Sequence, residues 1–543
     1  MKFIKSFEYD QSYFNDIGEY KYGKNRPVVY VIEGGKEAYI GETSDVYNRS
    51  HQHYKKLDRN KLNSIHIIGD DEFNKSATLD IEALLIEFMS ADGKYLLQNG
   101  NGGLKNHRYF NKHLYHDVKF EMIWKELREK GLAIKELIQI RNSDLLKFSP
   151  YKALTEDQLQ IAKSVTTSIL TTDKSKHMIK GEPGSGKTIL AVFLVKYLRQ
   201  MNKLEKLNIG LVIPMTSLRK TLKSVFKNVK GLSASMVIGP NEVVKKDYDI
   251  LIIDEAHRLN RRIGLTSYGS YDEVNRKLGL DKYTGTQLDW IEMTCKHAVY
   301  LYDGNQSVKP TDIEESRFRE IDATIYELKS QMRVQGGHDY IAYIDNILNQ
   351  KQVNKMKFDK YEFLLFDNVN DMVEIIKIKD KAFKLSRVVA GFAWDWISKN
   401  DKSLKDIQIG RNAYMWNSTN QDWVNSPNAL NEVGCIHSIQ GYDLNYTGVI
   451  IGPEIVMRDN KILVDKDKYK DKKGKFALND PEQLKIYIKN IYKVLLTRGI
   501  KGTYVYVCDE ALRDYFKQFI VTFNDKNDYR FMQGDVSIVA EKI

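Results

Sequence analysis

Cysteine is nearly absent: 543 residues hold three, Cys295, Cys435 and Cys508, far apart and never as C-x-x-C. That scarcity excludes a disulfide framework and a cysteine-built zinc site, and a reducing cytoplasm is the expected compartment. Nine prolines and 34 glycines are too few for a collagenous or low-complexity chain. No apolar run approaches the length of a transmembrane helix; the greasiest, Ile250–Ile253 and Gly448–Ile451, have strand length, so no membrane partner is expected. The opening MKFIKSFEYD has neither an apolar stretch nor a small-residue cleavage site, so no secretory signal is expected. What is present suffices for several cores: 42% hydrophobic and 11% aromatic residues, in a length that predicts about two to four domains. Lys and Arg (83) outnumber Asp and Glu (72) for a formal charge of +11, compatible with a phosphate-rich partner without requiring one.

The patterning divides the chain into four parts. Residues 1–103 read as a small mixed α/β unit, with strands Pro27–Glu33 and Glu37–Glu42 around Gly34-Gly35, a strand Asn63–Ile68 and a helix Ala77–Met89. Residues 104–148 read as a helical connector, whose His107, His113 and His116 are expected in solvent rather than on a metal. From residue 149 strands alternate with helices, the signature of parallel α/β layers, in two series, 149–345 and 346–543. The first has strands His177–Lys180, Ile209–Pro214, Asp249–Asp254 and Ala298–Tyr302. The second has Glu362–Phe366, Arg387–Ala390, Val449–Gly452 and Thr503–Cys508. The fold class is therefore α/β, a small unit followed by two lobes with a cleft between them.

Gly181-Glu-Pro-Gly184-Ser-Gly186-Lys187-Thr188 fulfils the phosphate-loop pattern between a predicted strand and a predicted helix. Backbone N–H groups at a helix N-terminus cradle phosphate, Lys187 reaches the β- and γ-phosphates, and the Thr188 hydroxyl suits Mg²⁺. Leu251-Ile-Ile-Asp254-Glu255-Ala-His257 ends a buried strand in two carboxylates; Asp254 is expected to hold Mg²⁺ and Glu255 to polarise the attacking water. ATP and Mg²⁺ are the expected cofactors.

Further segments, in order over about residues 150–510, resemble superfamily 1 helicases and most closely the Schlafen group 3-like helicase domain. Leu154-Thr-Glu-Asp-Gln158 is similar to the glutamine motif that reads adenine, and Pro214-Met-Thr-Ser-Leu-Arg219-Lys to a segment touching the nucleic-acid backbone. Asp303-Gly-Asn-Gln306 resembles the motif sensing the γ-phosphate, and Ser330-Gln-Met-Arg333 the one supplying a phosphate-facing arginine. His437-Ser-Ile-Gln440-Gly-Tyr-Asp443 resembles the motif linking ATP to nucleic acid, and Tyr492-Lys-Val-Leu-Leu-Thr-Arg498 the motif bearing an arginine finger. The resemblance implies two RecA-like lobes and hydrolysis dependent on cleft closure. Lys461–Lys475, rich in Lys and Asp, reads as a solvated loop or a nucleic-acid contact. Phe392–Trp396 reads as core packing, with base stacking as the alternative.

In the first unit, Tyr30 and Tyr39 stand on adjacent hairpin strands, Arg49 and His53 share a face if Asp45–Tyr54 is helical, and Glu82 lies on the later helix. Two phenols, a guanidinium, an imidazole and a carboxylate suit metal-assisted phosphodiester cleavage: Glu82 anchors a divalent ion, Arg49 neutralises phosphate, and Tyr30 or His53 relays a proton. Residues 25–103 resemble the GIY-YIG endonuclease domain, whose site residues fall on Tyr30, Tyr39, Arg49, His53, Glu82 and Asn99, with Asn101 as the alternative to Asn99. Val28-Val-Tyr30 departs from Gly-Ile-Tyr, and the stretch from Glu82 to Asn99 is long for the family. The expected whole is an endonuclease coupled to a helicase-type ATPase, acting on DNA in preference to RNA, in defence against foreign DNA or in repair. The alternatives are an RNA- or tRNA-cleaving defence enzyme and an ATP-gated scaffold without cleavage. Oligomeric state and protein partners stay open.

Overall fold

The computed structural model describes residues 2–523 except 57, 58, 60, 101–108, 153, 202–206, 266, 305–310, 420, 421, 440, 441 and 472–479. The tight turn at Gly35 (φ +61°) joins strands Val28–Gly34 and Glu37–Thr43, as the paired glycines predict. They sit in a five-stranded sheet of spatial order Ile4–Glu8, Ser64–Ile68, Val28–Gly34, Glu37–Thr43, Leu96–Leu97. The helix Lys75–Asp92 covers one face; Asn74 caps its start by accepting from Ala77 N at 2.9 Å, and Gly93 (φ +78°) ends it.

The first lobe is a six-stranded parallel sheet in the order Thr324–Leu328, Ser175–Gly181, Cys295–Tyr302, Tyr248–Ile253, Ile209–Val212, Val237–Ile238. Its central strands are buried on both faces, as a covered parallel sheet requires. The second lobe is an eight-stranded sheet, Ile407–Ile409, Asn412–Trp416, Glu432–Cys435, Ser386–Ala390, Leu444–Ile451, Gly499–Val507, Glu362–Phe366, Val521–Thr522, parallel but for its first pair. The doubly covered α/β lobes match the expected fold class.

One expected boundary moves. Helix Gly337–Leu348 joins the second lobe, not the first: Tyr340, Ile344 and Ile347 lie in its core, and Tyr340 Oη donates to Leu496 O at 2.8 Å. The 345/346 boundary thus shifts toward residue 334. The connector is not a free linker either. Trp124, Ile140, Leu146 and Phe148 share one hydrophobic core with Leu85 of the first unit and Leu194 of the first lobe. Phe392 stacks on Trp416 at 5.4 Å, which resolves Phe392–Trp396 as packing. Lys461–Val464 is a strand paired with Ile455–Arg458 rather than loop, and 472–475 lie outside the described residues. His116 pairs with Asp80 and His113 is exposed beside Asp117, while His107 lies outside the described residues.

Glu454 gives the second lobe a built-in pH dependence. It is buried; Tyr492 Oη donates to its Oε1 at 2.5 Å, and among the described residues its Oε2 has no hydrogen-bond partner. Burial raises its pKa from 4.5 to about 7. A carboxyl raised on folding takes up a proton between those values, so stability falls as pH rises from 4.5 to about 7 and levels off above. Glu454→Gln is expected to flatten this slope, worth on the order of 3 kcal/mol, which melting curves at pH 5 and 8 measure.

Candidate functional site

Ligand sites in parallel sheets form beyond the carboxyl ends of the strands. Ser175–Gly181, Cys295–Tyr302 and Tyr248–Ile253 are neighbours, so the glycine turn, Asp303 and Asp254 emerge side by side. Gly184 (φ +87°) and Gly186 (φ +80°) supply the left-handed turn, and Lys187 begins the helix Lys187–Gln200. Lys187 Nζ donates to Gly181 O (2.5 Å), Glu182 O (3.0 Å) and Asp303 Oδ2 (3.4 Å). Those carbonyls lie within the phosphate loop itself, so the ammonium is held where phosphate belongs.

Asp254 is fully buried and faces the Thr188 hydroxyl, and among the described residues neither carboxylate oxygen makes a well-formed hydrogen bond. Burial, then Glu255, pushes its pKa up, with Thr188 and Lys187 acting the other way. Burial also opposes ionisation of Glu255, but His257, Lys187 and Arg258 outweigh it and hold the group down. His257 Nδ1 accepts from Asp303 N (3.3 Å), which leaves the ring proton on Nε2, 2.9 Å from Glu255 Oε2. An ionised Glu255 steadied by His257 beside the buried Asp254 and the Thr188 hydroxyl fits a divalent cation held by Thr188 and Asp254. Among the described residues no three His, Cys, Asp or Glu side chains cluster as a metal site.

The second lobe closes the cleft from its own strand starts. Leu444 pairs with Gly499, so the preceding Asp443 and Arg498 arrive together. Arg333 Nε lies 2.5 Å from Asp443 Oδ1, and Gln331 and Met332 bond Pro183 O and Gly184 O, both at 2.8 Å. Burial and Arg333 bring the Arg498 guanidinium down to about 9, still charged at neutral pH. Both arginines line one cavity of about 240 Å³ with Lys187, Thr188 and Glu255. Gln158 is placed differently. It is fully buried: its Oε1 accepts from Thr155 N (3.1 Å) at the start of its own helix, and its Nε2 donates to Ser185 O (3.0 Å), bracing the phosphate loop. Arg219 folds back onto Ile213 O (3.0 Å). Gln306 and Gln440 lie outside the described residues.

A second cluster occupies the first unit. Helix Val46–Tyr54, capped by Asp45, puts Arg49 and His53 one turn apart. His53 Nε2 and Tyr30 Oη are 2.7 Å apart, and the Tyr39 ring lies 4.8 Å from that of His53. Burial, with Arg59, Arg49 and Lys56, lowers the His53 pKa to about 3, so the ring is neutral. Its Nδ1 meets the Arg59 guanidinium, which can only donate; the ring proton therefore sits on Nε2 and is given to Tyr30. Arg49 faces the Tyr30 hydroxyl and bonds Gln52 at 2.8 Å. Burial first, then Glu42, raises the Glu82 pKa to about 7. Two carboxyls that disfavour joint ionisation invite a cation, and Lys75 meets Glu42 at 2.5 Å. Asn99 is spent on backbone, bonding Ile40 N and O (3.1 and 2.8 Å), and Asn101 lies outside the described residues. Sequence reading did not reach Glu42, the residue after Gly41, or Arg59, which stacks 3.5 Å over Tyr39 from a loop without a motif.

A phosphate loop, a strand-end carboxylate pair, Arg333 from the junction of the lobes and Arg498 from the second parallel lobe define a helicase-type ATPase. The chain belongs to the family described as Schlafen group 3, DNA/RNA helicase domain, matched over residues 174–509. It is 25% identical over 389 residues to the uncharacterized protein YPL245W of Saccharomyces cerevisiae, covering 62% of this chain and 82% of the yeast protein. Among solved structures it is similar to the Bacteroides Pif1 helicase in complex with ADP-AlF3 and ssDNA, with 14% identity, TM-score 0.27, and 71% and 98% of the two chains covered. It is also similar to the arterivirus nonstructural protein 10 helicase, with 14% identity, TM-score 0.28, and 65% of this chain and 64% of that one, just under two thirds of its length. Among the described residues, no helix is long and apolar enough to cross a membrane.

Proposed function

We propose that the chain is a Mg²⁺-dependent endonuclease joined to a nucleic-acid-acting ATPase, with DNA as the preferred substrate. The observation that carries the nuclease half is the gathering of Tyr30, Tyr39, Arg49, His53 and Glu82 around one phenol–imidazole bond. Glu82 would hold one Mg²⁺, and Thr188 with Asp254 another; bound there, the ion neutralises phosphate charge and lowers the pKa of water. Arg49 would meet the scissile phosphate, and His53 Nε2–H donates a hydrogen bond to the Tyr30 oxygen, so the phenol keeps its own proton and can donate it as a hydrogen bond to a phosphate oxygen. In the cleft, Lys187 binds the terminal phosphates, Glu255 orients water, and Arg333 and Arg498 meet the charge that develops on the transferred group. Defence against foreign DNA is the biological use that such a pairing suggests, with repair as the alternative.

The family description names RNA beside DNA, so RNA cleavage is the second reading. Matched single-stranded, duplex and forked DNA and RNA with Mg²⁺ separate the two: cleavage confined to RNA overturns the DNA preference. Nucleic acid is also expected to accelerate ATP hydrolysis by about tenfold or more, through the closure that brings both arginines onto phosphate. A steady-state rate unchanged by every nucleic acid contradicts a nucleic-acid-dependent motor.

A further inference from the structure

The nucleotide cavity has a third wall. Its lining includes six cationic side chains against three acidic ones, a balance suited to a polyphosphate, and two of the six, Arg141 and Lys147, come from the connector. Lys147 reaches furthest into the charge network. Its Nζ lies 3.2 Å from Asp443 Oδ2, while Arg333 occupies the other oxygen of the same carboxylate. One carboxylate thus balances two cations beside the phosphate loop, where an incoming triphosphate competes for both.

The backbone that carries Lys147 is tied to all three bodies. On its short helix Asp144–Lys147, Asp144 accepts from Thr221 of the first lobe (3.4 Å). Asn142 accepts from Asn445 of the second lobe at 2.8 Å. The helix packs against Lys75–Asp92, which carries Glu82, and Asp92 accepts from Lys135 N at 2.7 Å.

We propose that Lys147 is a further phosphate-binding residue of the ATP site, supplied from outside the family-matched segment, which exchanges Asp443 for the terminal phosphate of a nucleoside triphosphate and so couples nucleotide binding to the helix bearing Glu82. The inference rests on the ATPase reading above. A residue facing the terminal phosphate acts on a triphosphate and not on a diphosphate, whereas a merely structural lysine affects both alike.

The test is binding of Mg²⁺ with AMP-PNP or with ADP to the full chain. Lys147→Gln is expected to weaken AMP-PNP about tenfold and ADP less than about twofold, with Lys147→Arg near wild type. Equal effects on both nucleotides, or none, overturn the proposal. Hydrogen exchange on the wild type gives a second readout that needs no variant. AMP-PNP, but not ADP, is expected to slow amides in residues 75–92 and 137–147, and identical exchange in both states overturns the coupling. Failure of wild-type protein to bind AMP-PNP at all removes the nucleotide site itself, a different result from normal binding that ignores Lys147.

Discussion

Lys187→Ala is expected to lower ATP turnover by about 10³-fold, the scale of losing a preorganised charge aimed at the transferring phosphoryl group. The ammonium is already placed: it bonds two carbonyls of its own phosphate loop and faces Asp303. Truncation removes a cation from a cavity that must accept several negative charges, so ground-state binding weakens as well. Glu255→Gln should match the loss of turnover while leaving ATP binding near wild type, because it removes the water-orienting carboxylate and keeps the phosphate cradle. Steady-state hydrolysis and nucleotide binding on both variants check this, with melting curves to confirm folding. Turnover within about threefold of wild type in either variant would displace hydrolysis from this cleft.

The second large effect belongs to the first unit. Glu82→Ala is expected to lower nucleic-acid cleavage by about 10³-fold or more, since it deletes the one carboxylate proposed to anchor the divalent ion. Tyr30, His53 and Arg49 pack through other contacts, so the fold should survive. ATP hydrolysis should stay within about twofold, because Glu82 contributes nothing to the cleft. If Glu82→Ala removed both activities in a folded protein, the separation into two sites would be wrong.

The chemistry that sits on continuous chain was legible before any coordinates. The phosphate loop, Asp254-Glu255 and the hairpin tyrosines announce themselves because a strand end and its adjoining turn fix their own geometry locally. Helix Lys75–Asp92 was legible through its apolar spacing, extended by a turn at its capped start. The residues that escaped depend on partners distant in sequence. Helix Gly337–Leu348 is amphipathic enough to cover either lobe, and only its packing in the second core, with Tyr340 bonded to Leu496 O, decides which. Gln158 stands out in the sequence through its resemblance to the glutamine motif that reads adenine; that its Nε2 braces Ser185 follows from tertiary packing alone. Lys147 sits on a four-residue helix with no motif, and its meaning comes from Asp443, far along the chain. Asp443 itself ended a recognisable segment, yet its pairing with Arg333 required the register of Leu444 on Gly499.

Cleavage of a labelled DNA and hydrolysis of ATP, followed together with Mg²⁺ for wild type, Lys187→Ala and Glu82→Ala, probe the central claim most directly. Wild type should show both reactions, Lys187→Ala should keep cleavage in the absence of ATP while losing hydrolysis, and Glu82→Ala should do the reverse. A wild-type chain that hydrolyses ATP but cuts none of the DNA or RNA forms, or that cuts equally well without Glu82, would contradict the account.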